Sequence, residues 1–282
     1  MPTMAWIGGR IQPFADSGVS LADRGLLFGE SIYEVIPITA GRVRMLSEHV
    51  GRMQAGAAVL GIAHGVPPLP TWEARIAELV EGEEIGEGIV YAQVTGGSGP
   101  RAHVADPAPD PTFFAWVKAH AFPRADQVRR GIRVITAPDI RWARGELKTT
   151  MLLAAIMGKR QALPSGAQEV IFVADDRVRE GGSTSVFIVE GGRVVGIPEG
   201  PVILPGLTAR WLEVVASKIS IAVSRESVTR ARMLAADEVF VTATTQLAMP
   251  VVGIDGQPIG DGFGGRVTSA LAEAMRTELE LR

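Results

Sequence analysis

Two separated segments place hydroxyl and backbone N–H groups where they could bind an anion. Leu204-Pro205-Gly206-Leu207-Thr208 precedes a predicted helix, and the N–H groups at a helix start are unpaired donors beside a partial positive charge. Thr242-Ala243-Thr244-Thr245 follows a predicted strand. Either segment suits a phosphate group, but a Thr after Pro-Gly also caps many helices that bind nothing. The two segments therefore predict anion sites only in combination with other signals.

A lysine at residue 148 stands just before the apolar run Met151–Ala155. Such a lysine is more often a surface residue whose stem lies along apolar side chains while its ammonium meets water. The alternative is a lysine of lowered pKa that could form a Schiff base with a carbonyl compound. The local pattern favours the first interpretation and leaves the second open.

Two further segments combine charged groups with small residues. Arg179-Glu180-Gly181-Gly182-Ser183-Thr184-Ser185 lies before a predicted strand. It is either a hydrophilic turn or a carboxylate and hydroxyls placed to hold the ring nitrogen of a cofactor protonated. In Pro100-Arg101-Ala102-His103, the arginine and histidine could bind a carboxylate, since the guanidinium fork suits bidentate contact. The alternative for this second segment is a solvated loop with an incidental histidine.

Composition restricts the function classes. The 282 residues are 46% hydrophobic and 21% charged, with a formal net charge of −3 and no cysteine. The absence of cysteine excludes disulfides, thiolate chemistry and Cys-ligated metal sites, and we expect no metal centre. The weakly acidic balance argues against nucleic-acid and anionic-membrane partners. We see neither a signal peptide nor an apolar run of about 20 residues, so we expect a cytoplasmic protein that does not span a membrane.

The elements that must position these segments form a mixed α/β chain. We expect a smaller domain over residues 1–120, a linker over 121–128 and a larger domain over 129–282 that carries Lys148. Ser47 is the predicted N-cap of a helix from Glu48 to Leu60. Strands are predicted by period-two alternation and helices by apolar periodicity. The strands are Met4–Ile7, Arg10–Pro13, Ser31–Thr39, Val43–Leu46, Ile89–Thr95, Thr112–Lys118, Ile132–Thr136, Glu169–Ala174, Ser185–Glu190, Arg193–Ile197 and Glu238–Thr242, and the other helices are Trp72–Val80, Thr149–Leu163, Thr208–Lys218 and Gly264–Glu280.

In this order, the motifs resemble those of the fold-type IV pyridoxal 5'-phosphate (PLP) enzymes. The family holds D-amino acid and branched-chain aminotransferases, (R)-amine transaminases and aminodeoxychorismate lyase. The resemblance covers about residues 6–278 and also rests on Asp23–Gly29 with Tyr33-Glu34-Val35, on Glu48–Arg52, and on Asp139–Trp142 with Leu147-Lys148. It implies a two-domain fold-type IV transaminase fold, mixed α+β in class, with bound PLP.

The resemblance also implies a role for each residue at a matching position. Lys148 would be the Schiff-base lysine and would move the Cα proton of the substrate. Glu180 would face the pyridine nitrogen, and His49 would give structural support. The remaining cofactor-binding residues would be Arg52, Leu207, Thr208 and Thr244 at the phosphate, Ser183 and Thr184 near the phosphate and ring, and Leu204 under the ring.

The Arg-x-His loop distinguishes members within the family. Residues 100–103 resemble the loop with which D-amino acid aminotransferases bind the substrate α-carboxylate. A tyrosine, here Tyr33, completes that site, and Val35 on the same strand face would line the pocket. In those enzymes the loop serves the neighbouring subunit, so the resemblance implies a homodimer. The implied reaction moves the amino group of a D-amino acid such as D-alanine or D-glutamate to 2-oxoglutarate or pyruvate by a ping-pong mechanism.

Two positions depart from the family pattern. Glu30-Ser31 stands where Asp-Gly is usual, and Pro37 stands where the familiar D-amino acid aminotransferases carry a basic residue. These departures bear on side-chain specificity. The alternatives on the same fold are a branched-chain L-amino acid transaminase, an (R)-amine transaminase and aminodeoxychorismate lyase. A non-catalytic binding protein is the rival of another class, but Lys148 and Glu180, whose loss would favour it, are both present.

Overall fold

In the computed structural model, residues 1–281 are described and the chain forms two compact units. Unit 1 comprises residues 1–121 and 147–151, and unit 2 comprises residues 122–146 and those from 152 on. The chain therefore leaves unit 2 after Glu146 and returns to it at Leu152. The domain limits expected from the sequence stay a prediction. Among the described residues, no helix is both long enough and apolar enough to span a membrane.

Unit 1 is built on a six-stranded antiparallel sheet with the order β2-β1-β6-β5-β3-β4. Its strands are β1 (Met4–Ile7), β2 (Arg10–Pro13), β3 (Ser31–Thr39), β4 (Arg42–Val43), β5 (Gly88–Thr95) and β6 (Thr112–Ala119), and its helices are α1 (Arg24–Phe28), α2 (Leu46–Val59) and α3 (Leu69–Gly82). Its core contains Trp6, Trp72 and Phe113, whose rings meet edge to face. Leu147 is buried in the same core, which fixes the segment that carries Lys148.

Unit 2 is built on a mixed sheet with the path β12-β11-β10-β13-β14-β7-β8-β9, and β15 pairs with β14. Its strands are β7 (Ile132–Pro138), β8 (Glu169–Ala174), β9 (Arg177–Gly181), β10 (Ser185–Glu190), β11 (Arg193–Gly196), β12 (Val223–Arg225), β13 (Glu238–Ala243), β14 (Leu247–Ile254) and β15 (Gln257–Pro258), and its helices are α4 (Ala125–Arg130), α5 (Leu153–Ala162), α6 (Leu207–Lys218), α7 (Arg230–Leu234) and α8 (Arg266–Glu278). Alternate residues of β10 and β13 enter separate apolar clusters on the two faces of the sheet, as the period of a strand requires. The mixed α+β architecture expected from the sequence is confirmed.

The segment around Lys148 corrects the prediction of a helix over Thr149–Leu163. Helix α5 covers only Leu153–Ala162. The preceding residues are not helical because they bond to β3: the Tyr33 N–H donates to the Lys148 carbonyl at 3.0 Å, and Thr149 forms an isolated bridge with Ile32. Lys148 therefore lies on a non-helical segment, five residues before the helix.

The predicted start of the helix from Glu48 is also wrong. Helix α2 begins at Leu46 and not after Ser47, because Met45 takes a left-handed conformation (φ 56°) that turns the chain out of β4. Strand β4 is correspondingly short. Helix α4 occupies part of the predicted linker, and the Gln127 side chain accepts from the Arg124 N–H at 2.9 Å at its start. Strand β9, which carries Glu180, was not predicted, since Arg177 and Arg179 make its sequence resemble a polar turn.

Candidate functional site

The predicted functional residues fall into both units, and each set is described within its own unit. Unit 1 holds Tyr33, Val35, Arg52, Arg101, His103 and Lys148, and unit 2 holds Glu180, Ser183, Thr184, Leu204, Leu207, Thr208 and Thr244.

Lys148 lies against an aromatic ring in unit 1. Its Nζ atom is 4.3 Å from the centroid of the Tyr33 ring, a distance at which the ring face attracts a cation. Tyr33 in turn stacks on Tyr91 at 5.8 Å. Lys148, Tyr33 and Val35 are half-buried, so the amine is partly shielded from water and held in one place. Both properties suit a lysine that acts as a nucleophile.

Arg52 is oriented by a buried carboxylate in the same unit. Its Nε and Nη2 atoms donate to the two oxygens of Glu34, each at 2.7 Å, in the bidentate geometry that fixes a guanidinium most firmly. His49 Nδ1 also lies 2.7 Å from Glu34 Oε2. This contact agrees with the supporting role expected for His49.

The charges of Glu34 and His49 are set by their burial and by the contacts among Glu34, His49 and Arg52. Burial alone would raise the pKa of Glu34, but the hydrogen bonds from Arg52 and His49 outweigh it and lower that pKa to about 2. Burial lowers the pKa of His49, against the opposing effect of Glu34. Glu34 is therefore an anion and His49 is neutral at neutral pH. Glu34 was not singled out from the sequence, although its place between Ile32 and Ile36 on the buried face of β3 predicts a cationic partner.

The loop with Arg101 and His103 packs on a single aromatic side chain. Both residues are exposed. Arg101 Cζ lies 5.7 Å from the centroid of the Phe28 ring, and the His103 ring meets the same ring edge to face at 5.7 Å. Within one chain, the structure thus brings Arg101 and His103 together on Phe28, and brings Lys148 together with Tyr33.

Glu180 is a buried carboxylate of unit 2, and it forms an ion pair with Arg141. Its other oxygen accepts from the Leu204 N–H at 3.2 Å. Arg141 also binds Asp139 through Nε and Nη2 at 2.9 and 2.8 Å. Burial alone would lower the pKa of Arg141, but the two carboxylates outweigh it and raise that pKa. Sequence reasoning placed Arg141 and Asp139 in the lysine segment but gave neither of them a role.

Ser183 and Thr184 have a structural partner in unit 2. Their hydroxyls donate to Glu169 Oε2 at 3.2 and 3.4 Å. Lys159 Nζ donates to Ser183 Oγ at 2.6 Å and forms an ion pair with Glu169 at 3.2 Å. The fully buried Glu169 carboxylate thus fixes both residues in place.

The two anion-binding segments predicted from the sequence lie in unit 2. Leu207 is the first residue of α6, and no side chain caps this helix. A Cβ atom at Gly206 would lie 2.7 Å from Ser185 Oγ, so a side chain before the helix start would displace the Ser185 hydroxyl. Thr242, near the end of β13, has a buried Oγ1 without a hydrogen-bond partner among the described residues. An uncapped helix start and an unsatisfied hydroxyl suit binding of an oxygen-rich ligand.

Comparisons with known proteins agree along nearly the whole chain. A family model described as amino-transferase class IV matches residues 31–254. The chain is 33% identical to the D-alanine aminotransferase of Bacillus licheniformis, over 96% of this chain and 95% of that protein. It is 32% identical to that of Staphylococcus haemolyticus, over 99% of each. The solved T.th. branched-chain amino acid aminotransferase with pyridoxamine 5'-phosphate superposes with a TM-score of 0.91 at 26% identity, over 100% of this chain and 96% of that one.

Removal of the Glu34 charge should give a pH-dependent loss of stability. The pKa of Glu34 is lowered from 4.5 to about 2, so its ion pair stabilises the fold above about pH 4.5 and is lost as the pH falls towards 2. At neutral pH, Glu34→Gln should lower the free energy of unfolding by roughly 3 kcal/mol. The urea midpoint of Glu34→Gln, measured across this pH range, should approach that of wild type at acid pH. The control Glu78→Gln, in an exposed pair with Arg75, should have nearly the wild-type midpoint at every pH. A loss that is independent of pH would contradict the assignment.

Removal of the Arg141 charge should destabilise unit 2 strongly. Arg141→Gln leaves two largely buried carboxylates, Asp139 and Glu180, without their cation, which should cost about 3–5 kcal/mol. The matched control is Arg144→Gln in the more exposed pair with Glu146, where about 1 kcal/mol or less is expected. Urea unfolding of both variants measures the contrast. Equal effects would mean that Arg141 is no more important than a surface arginine.

Proposed function

The chain belongs to the class IV aminotransferases, and within that family we propose that it moves amino groups between D-amino acids and 2-oxo acids with PLP as cofactor. The fold-type IV architecture inferred from the sequence is confirmed by the superposition. The observation that carries the D-amino acid proposal is the loop Pro100-Arg101-Ala102-His103, in a chain whose relatives are named D-alanine aminotransferases.

The residues present fit PLP group by group. The half-buried amine of Lys148 suits the aldehyde carbon, and the buried carboxylate of Glu180 suits the ring nitrogen. The fixed guanidinium of Arg52 and the uncapped start of α6 suit the phosphate. The unsatisfied hydroxyl of Thr242 points to a polar ligand that remains to be bound.

The proposed chemistry divides between the cofactor and the protein. When bound, PLP acts as an electron sink for the bonds at the substrate Cα atom. Lys148 would hold the cofactor through Nζ until the amino donor displaces it, and the freed Nζ atom would then take the proton from the substrate Cα atom and pass it to the cofactor. Glu180 would face the ring nitrogen and favour its protonated form, and the ion pair with Arg141 orients the carboxylate for that role. Leu204 would lie against the ring, and its N–H bond to Glu180 supports this assignment.

Binding of the phosphate is assigned to residues whose own positions are fixed. Arg52 is held by Glu34, and Leu207 and Thr208 offer the N–H groups of the first turn of α6. Thr244 supplies a further hydroxyl. Ser183 and Thr184, which Glu169 holds in place, line the cofactor near the phosphate and ring.

Substrate stereochemistry is assigned to the residues that bind the α-carboxylate. Arg101, His103 and Tyr33 fix this group, Val35 lines the side-chain pocket, and together they decide which hydrogen at Cα faces Lys148. A homodimer is part of the proposal, because the resemblance implies that the loop with Arg101 and His103 serves the active site of a second copy of the chain. The exposed apolar side chains of α5, among them Leu153 and Met157, support such a partner. A cytoplasmic location belongs to the same proposal.

A branched-chain L-amino acid transaminase is the second candidate. The observation that favours it is the superposition on the T.th. branched-chain enzyme. The two candidates share Lys148, Glu180 and the phosphate-binding residues, and they differ in the loop with Arg101 and His103. They are therefore separated by the stereochemistry of the amino donor.

Donor stereochemistry can be read directly from the visible spectrum. Without an acceptor, addition of D-alanine to the PLP-loaded protein should replace its yellow absorption band with the band of the amino form of the cofactor. Addition of L-alanine should leave the yellow band unchanged. Lys148→Ala should reduce turnover by roughly a thousandfold or more. Conversion with L-leucine or L-valine alone would establish the branched-chain candidate. No conversion with either class would refute both.

Mixed dimers test whether the loop serves the neighbouring subunit. Arg101→Ala should raise the KM for D-alanine with little change in kcat, and Lys148→Ala should be inactive. A dual-tagged dimer with one subunit of each variant retains one complete site, so it should recover about half of the wild-type turnover at low substrate. Activity no higher than that of the Arg101→Ala homodimer would mean that the loop serves its own subunit.

A further inference from the structure

A buried arginine holds the backbone of the Arg-x-His loop. Arg24, the first residue of α1, donates from Nη1 to the Ala102 carbonyl at 2.7 Å and from Nη2 to the His103 carbonyl at 2.9 Å. Its side chain is 8% exposed. Because both donors belong to one rigid, charged guanidinium, they fix two successive carbonyls relative to each other. The directions of the neighbouring Arg101 and His103 side chains follow from that backbone.

Glu30 completes this contact, and it is one of the residues that depart from the family pattern. Its carboxylate forms an ion pair with Arg24 Nε, and its carbonyl accepts from the Gly96 N–H at 2.9 Å. A Cβ atom at Gly96 would lie 2.8 Å from Glu30 Oε2, so the glycine makes room for this longer carboxylate. Glu30 directly precedes β3, the strand that carries Tyr33.

The Phe28 ring contacts Arg24 and also the Arg101 and His103 side chains of the loop. Arg24 Cζ lies 5.0 Å from the centroid of the Phe28 ring, the same ring on which Arg101 and His103 pack. The aromatic ring attracts each guanidinium. The group of Arg24, Phe28, Glu30, Arg101 and His103 thus lies wholly within unit 1.

We propose that Arg24, held by Glu30, is a positioning residue that sets the geometry of the substrate-carboxylate loop and thereby the KM for amino acids. This inference rests on the proposed function, in which Arg101 and His103 bind the α-carboxylate. Arg24 itself touches no substrate, since its N–H groups are directed at the loop carbonyls and at Glu30. If Arg24 had a purely structural role, its substitution would lower the yield of folded enzyme. The enzyme that did fold would have the wild-type affinity for substrate.

Arg24→Lys is the primary variant, because it keeps the charge and loses the fork. The KM for D-alanine should rise about tenfold, the equivalent of one hydrogen bond from a charged group, while kcat changes less than about twofold. Arg75→Lys, in the exposed pair with Glu78 of the same unit, is the matched control and should leave both constants unchanged. A KM for Arg24→Lys within about twofold of wild type would overturn the proposal.

A double-mutant cycle shows whether Arg24 acts through the loop. In an Arg101→Ala/His103→Ala background both carboxylate contacts of the loop are already lost, so adding Arg24→Lys should raise the KM by less than about twofold. A full tenfold effect in both backgrounds would show that Arg24 affects affinity by another route, which overturns the proposal.

Variants of Glu30 give a second test in case Arg24→Lys does not fold. Glu30→Gln keeps the shape and removes the charge opposite Arg24, so the KM should rise about three- to tenfold. Glu30→Asp, the residue usual at this position in the family, should restore a KM within about twofold of wild type. Equal KM values for Glu30→Gln and wild type would contradict the assigned role of Glu30.

Hydrogen exchange separates failure of this inference from failure of the proposed function. In Arg24→Lys, amides of residues 98–106 should exchange at least about fivefold faster than in wild type, while those of 89–95 in β5 should be unchanged. If wild type does not convert D-alanine, the proposed function fails and exchange alone decides whether Arg24 holds the loop. Unchanged exchange across residues 98–106 would overturn the inference in either case.

Discussion

The bonds of Lys148 and Thr149 to β3 decide where Lys148 lies. The Tyr33 N–H bonds the Lys148 carbonyl, Thr149 bridges Ile32, and Leu147 is buried in the core of unit 1. The residues on both sides of Lys148 are thus fixed, and its Nζ atom lies over the Tyr33 ring. The lysine is therefore placed by backbone pairing and core burial, and no helix is needed to position it.

Two buried carboxylates of the candidate site, one in each unit, are each matched to an arginine of the same unit. Glu34 holds Arg52, and Arg141 holds Glu180. Breaking such a pair by removing one partner leaves an uncompensated buried charge, so the geometry of the functional group is tied to the stability of the unit. In the proposed function the ligand is bound by the arginine of the first pair, Arg52, and by the carboxylate of the second pair, Glu180. The same type of ion pair orients both groups.

The sequence was most informative where local pattern and tertiary structure agree. The strand Ser31–Thr39 has the predicted limits, because its alternation matches a half-buried surface. The helix predicted from Thr149 begins later, since pairing with β3 overrides the apolar run that follows Lys148. The contacts of Arg24 with residues 102 and 103 could not be predicted, because no local pattern links positions so far apart in the chain. Glu34 could have been found, since a carboxylate on a buried strand face requires a cation.

The chain crosses between the units around Lys148, and this limits how the gene can be divided. A single cut near residue 121 would leave the first fragment without residues 147–151, which belong to its unit. That fragment would lose Leu147 from its core and the bridge at Ile32. The second fragment would carry Lys148 on a segment that lacks its partner strand, β3. The two units are thus not interchangeable modules, and recombination with a relative should respect three boundaries instead of one.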